Sequence, residues 1–183
     1  MKEKFCKRGV SVSKAFTLVE VLVVISIIAL LMGILMPALN RARASAASTA
    51  CQANLRSIAY GFVMYLDDNR DIMPPAVIMP IEGFDSPTIM DFLMRYLSEP
   101  KVFKCPSDVK DHYYDDYGTS YGYNAMLGGT TVDKSMFAKM TRSKAVNIHV
   151  MRDLTPFHGK EGKPGSCNYL YADGHVSDNR EQH

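Results

Sequence analysis

FTLVEVLVVISIIALLMGILMPAL, residues 16–39, is a nearly unbroken apolar run with a single charge, Glu20. As a helix, those 24 residues measure about 36 Å at a rise of about 1.5 Å each, against a bilayer hydrocarbon core of about 30 Å. A core helix of a soluble domain keeps one polar face. Past Val21 this run has none, so its composition predicts a membrane-spanning helix.

The flanks orient it. Lys2, Lys4, Lys7, Arg8 and Lys14 precede the run against Glu3 alone, whereas only Arg41 and Arg43 follow closely. The positive-inside rule then predicts a cytoplasmic N-terminus, with everything beyond residue 40 outside. The whole chain of 183 residues carries a formal charge of +2, and its basicity is concentrated in this first segment. No basic stripe with interleaved aromatics follows, so no nucleic-acid partner is expected.

Two other export signals fit less well. Ala44-Ser45-Ala46 could serve a signal peptidase, but Arg41 and Arg43 stand between the apolar run and that cut. A lipoprotein attachment at Cys51 would lie too far beyond the run.

Glu20 is the informative residue. A carboxylate inside the bilayer costs about 2.5–3.5 kcal/mol on insertion scales, so it calls for a partner and a job. A chain cut before Phe16 would supply one, since a free α-amine with a pKa of about 8 is mostly protonated at neutral pH. Within one chain the amine and Glu20 are about one helical turn apart, an awkward geometry. Between neighbouring chains the pairing would fix axial register, because a misaligned subunit leaves a charge unpaired in a low dielectric.

KAFTLVEVLVVISIIALLMGILMPAL resembles the N-terminal signature of type IV pilins and type II secretion pseudopilins. That signature is a short basic leader, a cut before a methylatable residue that is usually Phe, then Thr-Leu-x-Glu and about twenty apolar residues. Phe16, Thr17, Leu18 and Glu20 match it position by position, and Pro37 falls where many pilins carry a helix-kinking proline. Ala15 stands where the family usually has Gly, which is expected to slow cleavage rather than abolish it. The resemblance implies a membrane prepilin peptidase cutting between Ala15 and Phe16 and N-methylating Phe16. Methylation keeps the positive charge. It further implies assembly through Phe16, Thr17, Leu18, Glu20 and Pro37, with homopolymer neighbours, other pseudopilins, an inner-membrane secretion platform and membrane lipid as partners. The chain would be a substrate of the peptidase and not itself an enzyme.

Beyond the membrane the helix is expected to continue to about Asp68. Residues 40–68 are rich in Ala and good helix formers, and no proline follows Pro37 before Pro74. Cys51, Leu55, Ile58, Phe62 and Tyr65 recur at spacings of four, three, four and three, one apolar stripe to lay on the chain's own head. The Ala-rich part, residues 42–53, lacks bulk and suits close approach of neighbouring helices.

The head, residues 70–183, opens on a turn-rich stretch. Asp67-Asp68-Asn69-Arg70-Asp71 has the opening spacing of an EF-hand, but Ile72 replaces the required Gly and Ile78 the bidentate Glu. It reads as a helix end and loop. Ser86 at N-cap and Pro87 at N1 predict a helix whose buried face is Ile89, Phe92, Leu93, Tyr96 and Leu97. Strands are expected at residues 102–104, 120–124, 146–151, 169–172 and 175–177, the last two joined by a two-residue turn at Asp173-Gly174.

The expected architecture is therefore α+β and pilin-like: a leader (1–15), a transmembrane and assembly helix (16–39), its amphipathic continuation (40–69), and an exported head (70–183) with a small antiparallel sheet. Within the family, PKVFKCPSD around Cys105 and HGKEGKPGSCNYLYADGHV near the end resemble a G-type-like pseudopilin group of planctomycete-like bacteria, in which a His precedes an Asp-Gly pair.

Four cysteines occur, none in a CxxC pair. In an exported head a Cys105–Cys167 disulfide is expected, with Cys51 as the alternative partner. Cys105, Cys167, His158 and His175 could be drawn as a metal site or a Cys–His nucleophile pair, but no spacing is tight and no orienting group is marked. No cofactor is expected. Calcium, which the family resemblance suggests for a C-terminal loop, would draw on Asp173, Asp178 and Glu181, although Asp173-Gly174 is more simply a turn.

The function expected is a structural subunit of a type II secretion pseudopilus, single-pass in the inner membrane before assembly. A type IV pilin for adhesion, motility or DNA uptake is the alternative within the family. A signal-anchored exported binding protein or hydrolase is the alternative outside it.

Overall fold

The computed structural model describes residues 17–78, 86–159, 163 and 165–178. Ala15, Phe16 and Glu181 lie outside them. The first element is a single helix, α1 (Leu18–Asp68, 51 residues), which contains Pro37. It stops where the chain turns left-handed: Arg70 and Asp71 have φ of 56° and 60°. Asn69 closes the end by donating its side-chain amide to the Tyr65 carbonyl at 2.7 Å. The expected helix end and loop at residues 67–71 are both present.

The chain forms two compact units, Met1–Arg41 and Ala42–His183. In the first, every described residue is exposed, and its surface is Leu, Ile, Val and Met almost throughout. In the second, Cys51, Leu55, Ile58, Phe62 and Tyr65 of α1 are all buried, as their spacing predicts. Phe62 stacks on Tyr123 at 6.1 Å between ring centroids. Tyr65 meets Phe92 and Tyr96 edge-on at 5.9 and 6.2 Å. Gly61 permits the close approach on this side, because a Cβ there would lie 3.0 Å from Leu97 Cγ.

The sheet has four antiparallel strands in the order β1 (Tyr121–Tyr123), β2 (His149–Asp153), β3 (Tyr169–Tyr171) and β4 (Val176–Ser177). Gly122 pairs with Arg152, and Leu170 pairs with Met151 on one side and Val176 on the other. Tyr121 and Tyr123 alternate with Gly122, so they share one face of β1. The Tyr123 hydroxyl donates to the Pro74 carbonyl at 2.9 Å and that of Tyr121 reaches the Cys51 carbonyl at 3.5 Å. One long N-terminal helix with a small antiparallel sheet is the expected α+β, pilin-like arrangement.

Several local expectations need correction. The disulfide joins Cys51 to Cys105, and Cys167 is a buried free thiol. Cys51 lies on the buried stripe of α1, facing the head, so the alternative partner wins over the Cys105–Cys167 pairing. Residues 100–103 form a 3-10 turn instead of the strand expected at 102–104, because Pro100 starts it and the Glu99 carboxylate accepts from the Lys101 amide at 3.4 Å.

The helix expected from Ser86 starts later, as α2 (Ile89–Leu93), capped by Thr88. Thr88 donates its amide and hydroxyl to Asp91 Oδ2 at 2.7 and 2.9 Å. The Pro87 carbonyl is meanwhile held by the Val77 amide at 3.0 Å. Finally, the β3–β4 turn has three residues, not two. The Tyr171 amide bonds to the His175 carbonyl across Ala172, Asp173 and Gly174, and Gly174 takes the left-handed position with φ 89°.

Candidate functional site

The N-terminal edge of α1 is built around Thr17 and Glu20. A helix start leaves four amides without intrahelical acceptors. Here the Thr17 amide and hydroxyl donate to Glu20 Oε2 at 2.8 and 2.7 Å, and the Glu20 amide donates to Thr17 Oγ1 at 3.2 Å. This is a capping box. Thr-x-x-Glu ahead of an apolar run is its signature, a signal present in the sequence. Glu20 Oε1 accepts no hydrogen bond among the described residues. Phe16, the residue expected to carry the methylated amine, lies outside the described residues.

Further along, Pro37 has no amide to offer the Gly33 carbonyl, the usual cause of a bend. Arg41 folds back to donate Nε to the Pro37 carbonyl at 3.3 Å. Leu18 and Thr17 lie at the exposed helix start, and α1 is long and apolar enough to cross a membrane.

A second cluster is buried in the head. Gln52 of α1 donates Nε2 to Asn168 Oδ1 at 3.1 Å. Asn168 in turn donates its backbone and side-chain amides to Asp153 Oδ2 at 2.7 and 3.1 Å. His158 Nε2 lies 3.5 Å from the same oxygen, with the two side chains 3% and 0% exposed. Nε2 is also 3.5 Å from Cys105 Sγ, and Nδ1 is 3.4 Å from Ser107 Oγ. Asp153 Oδ1 is buried without a hydrogen-bond partner among the described residues. Burial pushes the Asp153 carboxyl up to about 7, against the two bonds from Asn168 that favour its charged form. Burial likewise lowers His158, and it raises the Cys167 thiol together with the charge of Asp153.

A neighbouring carboxylate, Asp108, is buried yet fully used. It accepts from the Tyr113 and Tyr114 amides at 3.2 and 2.9 Å and from the Ser120 hydroxyl at 2.7 Å. Ser120 Oγ accepts the Cys105 amide at 3.0 Å, so the disulfide is fixed on its head side.

The structure brings only part of the sequence-derived metal or nucleophile set together. Cys51, Cys105 and His158 present ligand atoms within 4.8 Å of one another, a group that contains neither Cys167 nor His175. The two sulfurs are bonded to each other, so neither is available as a thiolate ligand or nucleophile. His175 instead sits at the β3–β4 turn, with Nδ1 at 2.5 Å from Asp173 Oδ1 and its ring stacked on Tyr171 at 4.2 Å.

Of the calcium candidates, Asp173 and Asp178 are described and Glu181 is not. Asp173 occupies the turn, whereas Asp178 follows Ser177, which pairs with Tyr169 at the other end of the hairpin. The Asp178 carbonyl accepts from the Gly165 amide at 2.9 Å.

No curated protein and no solved structure matches the chain. Residues 11–36 match the family model described as the prokaryotic N-terminal methylation motif. Proteins with this motif are typically structural and not enzymatic, are processed by a prepilin peptidase and polymerise. With that motif opening one long apolar helix ahead of a small antiparallel sheet, the chain is consistent with the type IV pilin and pseudopilin family.

Proposed function

We propose that this protein is a structural subunit of a type II secretion pseudopilus, held in the inner membrane by residues 16–39 until it polymerises. The observation that carries the proposal is the lone acid Glu20 at the start of an exposed apolar helix surface, inside the methylation motif of residues 11–36. The leader, residues 1–15, stays cytoplasmic and is removed between Ala15 and Phe16; the head lies in the periplasm. Phe16 then carries a methylated, positively charged amine. Glu20 has two tasks: Oε2 caps its own helix, and Oε1 receives the amine of an adjacent copy. The apolar surface of residues 18–39 exchanges lipid for neighbouring helices as the polymer grows, and elongation of the rod drives export.

The structure suggests a substitution that separates the two tasks. Glu20→Gln keeps a carbonyl oxygen for the capping box but removes the charge. The expected result is normal membrane insertion with loss of incorporation into sheared or purified polymer. Wild-type levels of Glu20→Gln in the polymer would show that charge pairing at this position is unnecessary.

A further inference from the structure

Four side chains from separate segments meet at one point in the head: Cys51 on α1, Cys105 after the 3-10 turn, Asp153 at the end of β2, and His158 in the loop that follows. Both cysteines are buried, as are the side chains of Asp153 and His158. The ligand atoms of Cys51, Cys105 and His158 lie within 4.8 Å of one another. His158 Nε2 stands 3.5 Å from Cys105 Sγ and 3.5 Å from Asp153 Oδ2. The second distance is long for a hydrogen bond. Both suit neighbouring ligands on a tetrahedral zinc ion, where bonds of about 2.3 Å to sulfur and about 2.0–2.1 Å to nitrogen or oxygen place the ligand atoms about 3.5 and 3.3 Å apart.

The surroundings orient these groups as a metal centre requires. Ser107 Oγ lies 3.4 Å from His158 Nδ1, which leaves Nε2 as the coordinating nitrogen. Asn168 holds Asp153 through Oδ2, while Oδ1 is buried without a hydrogen-bond partner among the described residues. Buried acceptors are ordinarily satisfied, and a cation beside His158 would satisfy this one.

We propose that the reduced head binds one zinc ion through Cys51, Cys105, His158 and Asp153, so that metal takes over from the disulfide in tying residue 51 to residue 105. A dithiol reductant supplies two electrons and two protons, cleaves the S–S bond and is itself oxidised to a disulfide. Zinc then displaces the protons of the two new thiols, which coordinate as thiolates. The sulfurs separate to about 3.8 Å, as two zinc–sulfur bonds require. Thiolate and imidazole ligands select zinc over calcium or magnesium. Four protein ligands with no open position make the site structural rather than catalytic. The site does not depend on polymerisation.

The test uses the full chain in detergent, with zinc and with cobalt(II) as its spectroscopic stand-in. After reduction with a phosphine and removal of excess metal, about one zinc per chain is expected, and the oxidised chain should hold none. Cobalt should give thiolate-to-metal charge-transfer absorption in the reduced chain only. His158→Gln and Asp153→Asn are each expected to weaken zinc binding at least about tenfold, and Cys167→Ser should leave it unchanged. Zinc should also raise the unfolding temperature of the reduced chain most of the way to that of the oxidised chain, which reads out even where reduction loosens the head. Reduced wild-type chain that neither retains zinc nor is stabilised by it would overturn the site. So would equal zinc on the oxidised chain, or binding kept in His158→Gln and lost in Cys167→Ser.

Discussion

Cys51, inside α1, is bonded to Cys105 in the loop before β1, 54 residues later in the chain. The bond fastens the buried side of the helix to the polar cluster of the head, since His158 Nε2 lies 3.5 Å from Cys105 Sγ. In the chain-entropy treatment, closing a loop of that length contributes about 4 kcal/mol.

Reduction of the folded protein, or Cys51→Ser, is therefore expected to lower unfolding stability by about 2–4 kcal/mol. Cys167→Ser should leave the crosslink intact. Peptide mapping without reductant should recover the residue 51 and residue 105 peptides joined, with Cys167 alkylated only after unfolding. Recovery of a Cys105–Cys167 peptide instead would contradict the fold.

Asp153 makes stability depend on pH. Its folded pKa is raised from 3.8 to about 7 by burial, so the folded state holds a proton that the unfolded chain releases. That contribution is fully present below about pH 4 and is lost as pH rises through about 7, at no more than about 1.4 kcal/mol per pH unit. His158 acts in the opposite sense. Burial lowers its pKa from 6.5, so its contribution is lost as pH falls. Asp153→Asn keeps an acceptor for the Asn168 amide and removes the titration. Its stability relative to wild type should improve between about pH 4 and pH 7 and level off above, measured by thermal unfolding in detergent. A difference independent of pH would show that Asp153 is ionised throughout.

A larger side chain at Gly61 is predicted to displace Leu97. A Cβ there already meets Leu97 Cγ at 3.0 Å and Cδ2 at 3.1 Å. Gly61→Val should cost about 1–3 kcal/mol through overpacking, whereas Gly33→Val, with nothing within 4 Å of its Cβ, should leave the head's unfolding unchanged. Equal effects at both sites would show that the helix stands farther from residue 97 than described.

Glu20→Ala removes the cap as well as the charge. Relative to Glu20→Gln it should fray the first turn of α1, at a cost of about 1 kcal/mol to the helix. Amide exchange near residues 18–21 should therefore be faster in Glu20→Ala than in Glu20→Gln. Identical exchange in the two variants would show that the capping box does not hold the helix start.

Much of this was legible in the sequence because it rests on periodicity or length. The apolar run over residues 18–39, the stripe from Cys51 to Tyr65 and the helix end near Asp68 are local properties of one helix, and each is where its pattern puts it. The strand core at residues 121–123 and 169–171 was equally readable. What failed depended on competition between neighbours or on distant contacts. Ser86 and Thr88 both offer an N-cap, and the Asp91 carboxylate decides for Thr88. Cys51 and Cys167 both offer Cys105 a partner, and only the three-dimensional position of the α1 stripe decides for Cys51. The Asp153–His158–Asn168 cluster left no sequence signal, because its members come from separate segments with no common spacing.

Processing at Phe16 is the central claim, and the intact mass with the N-terminal sequence of the protein extracted from its native membranes tests it most directly. The expected product begins at Phe16 and carries one additional methyl group on its amine. A chain that keeps Met1, or one that begins near Ala47, would contradict it.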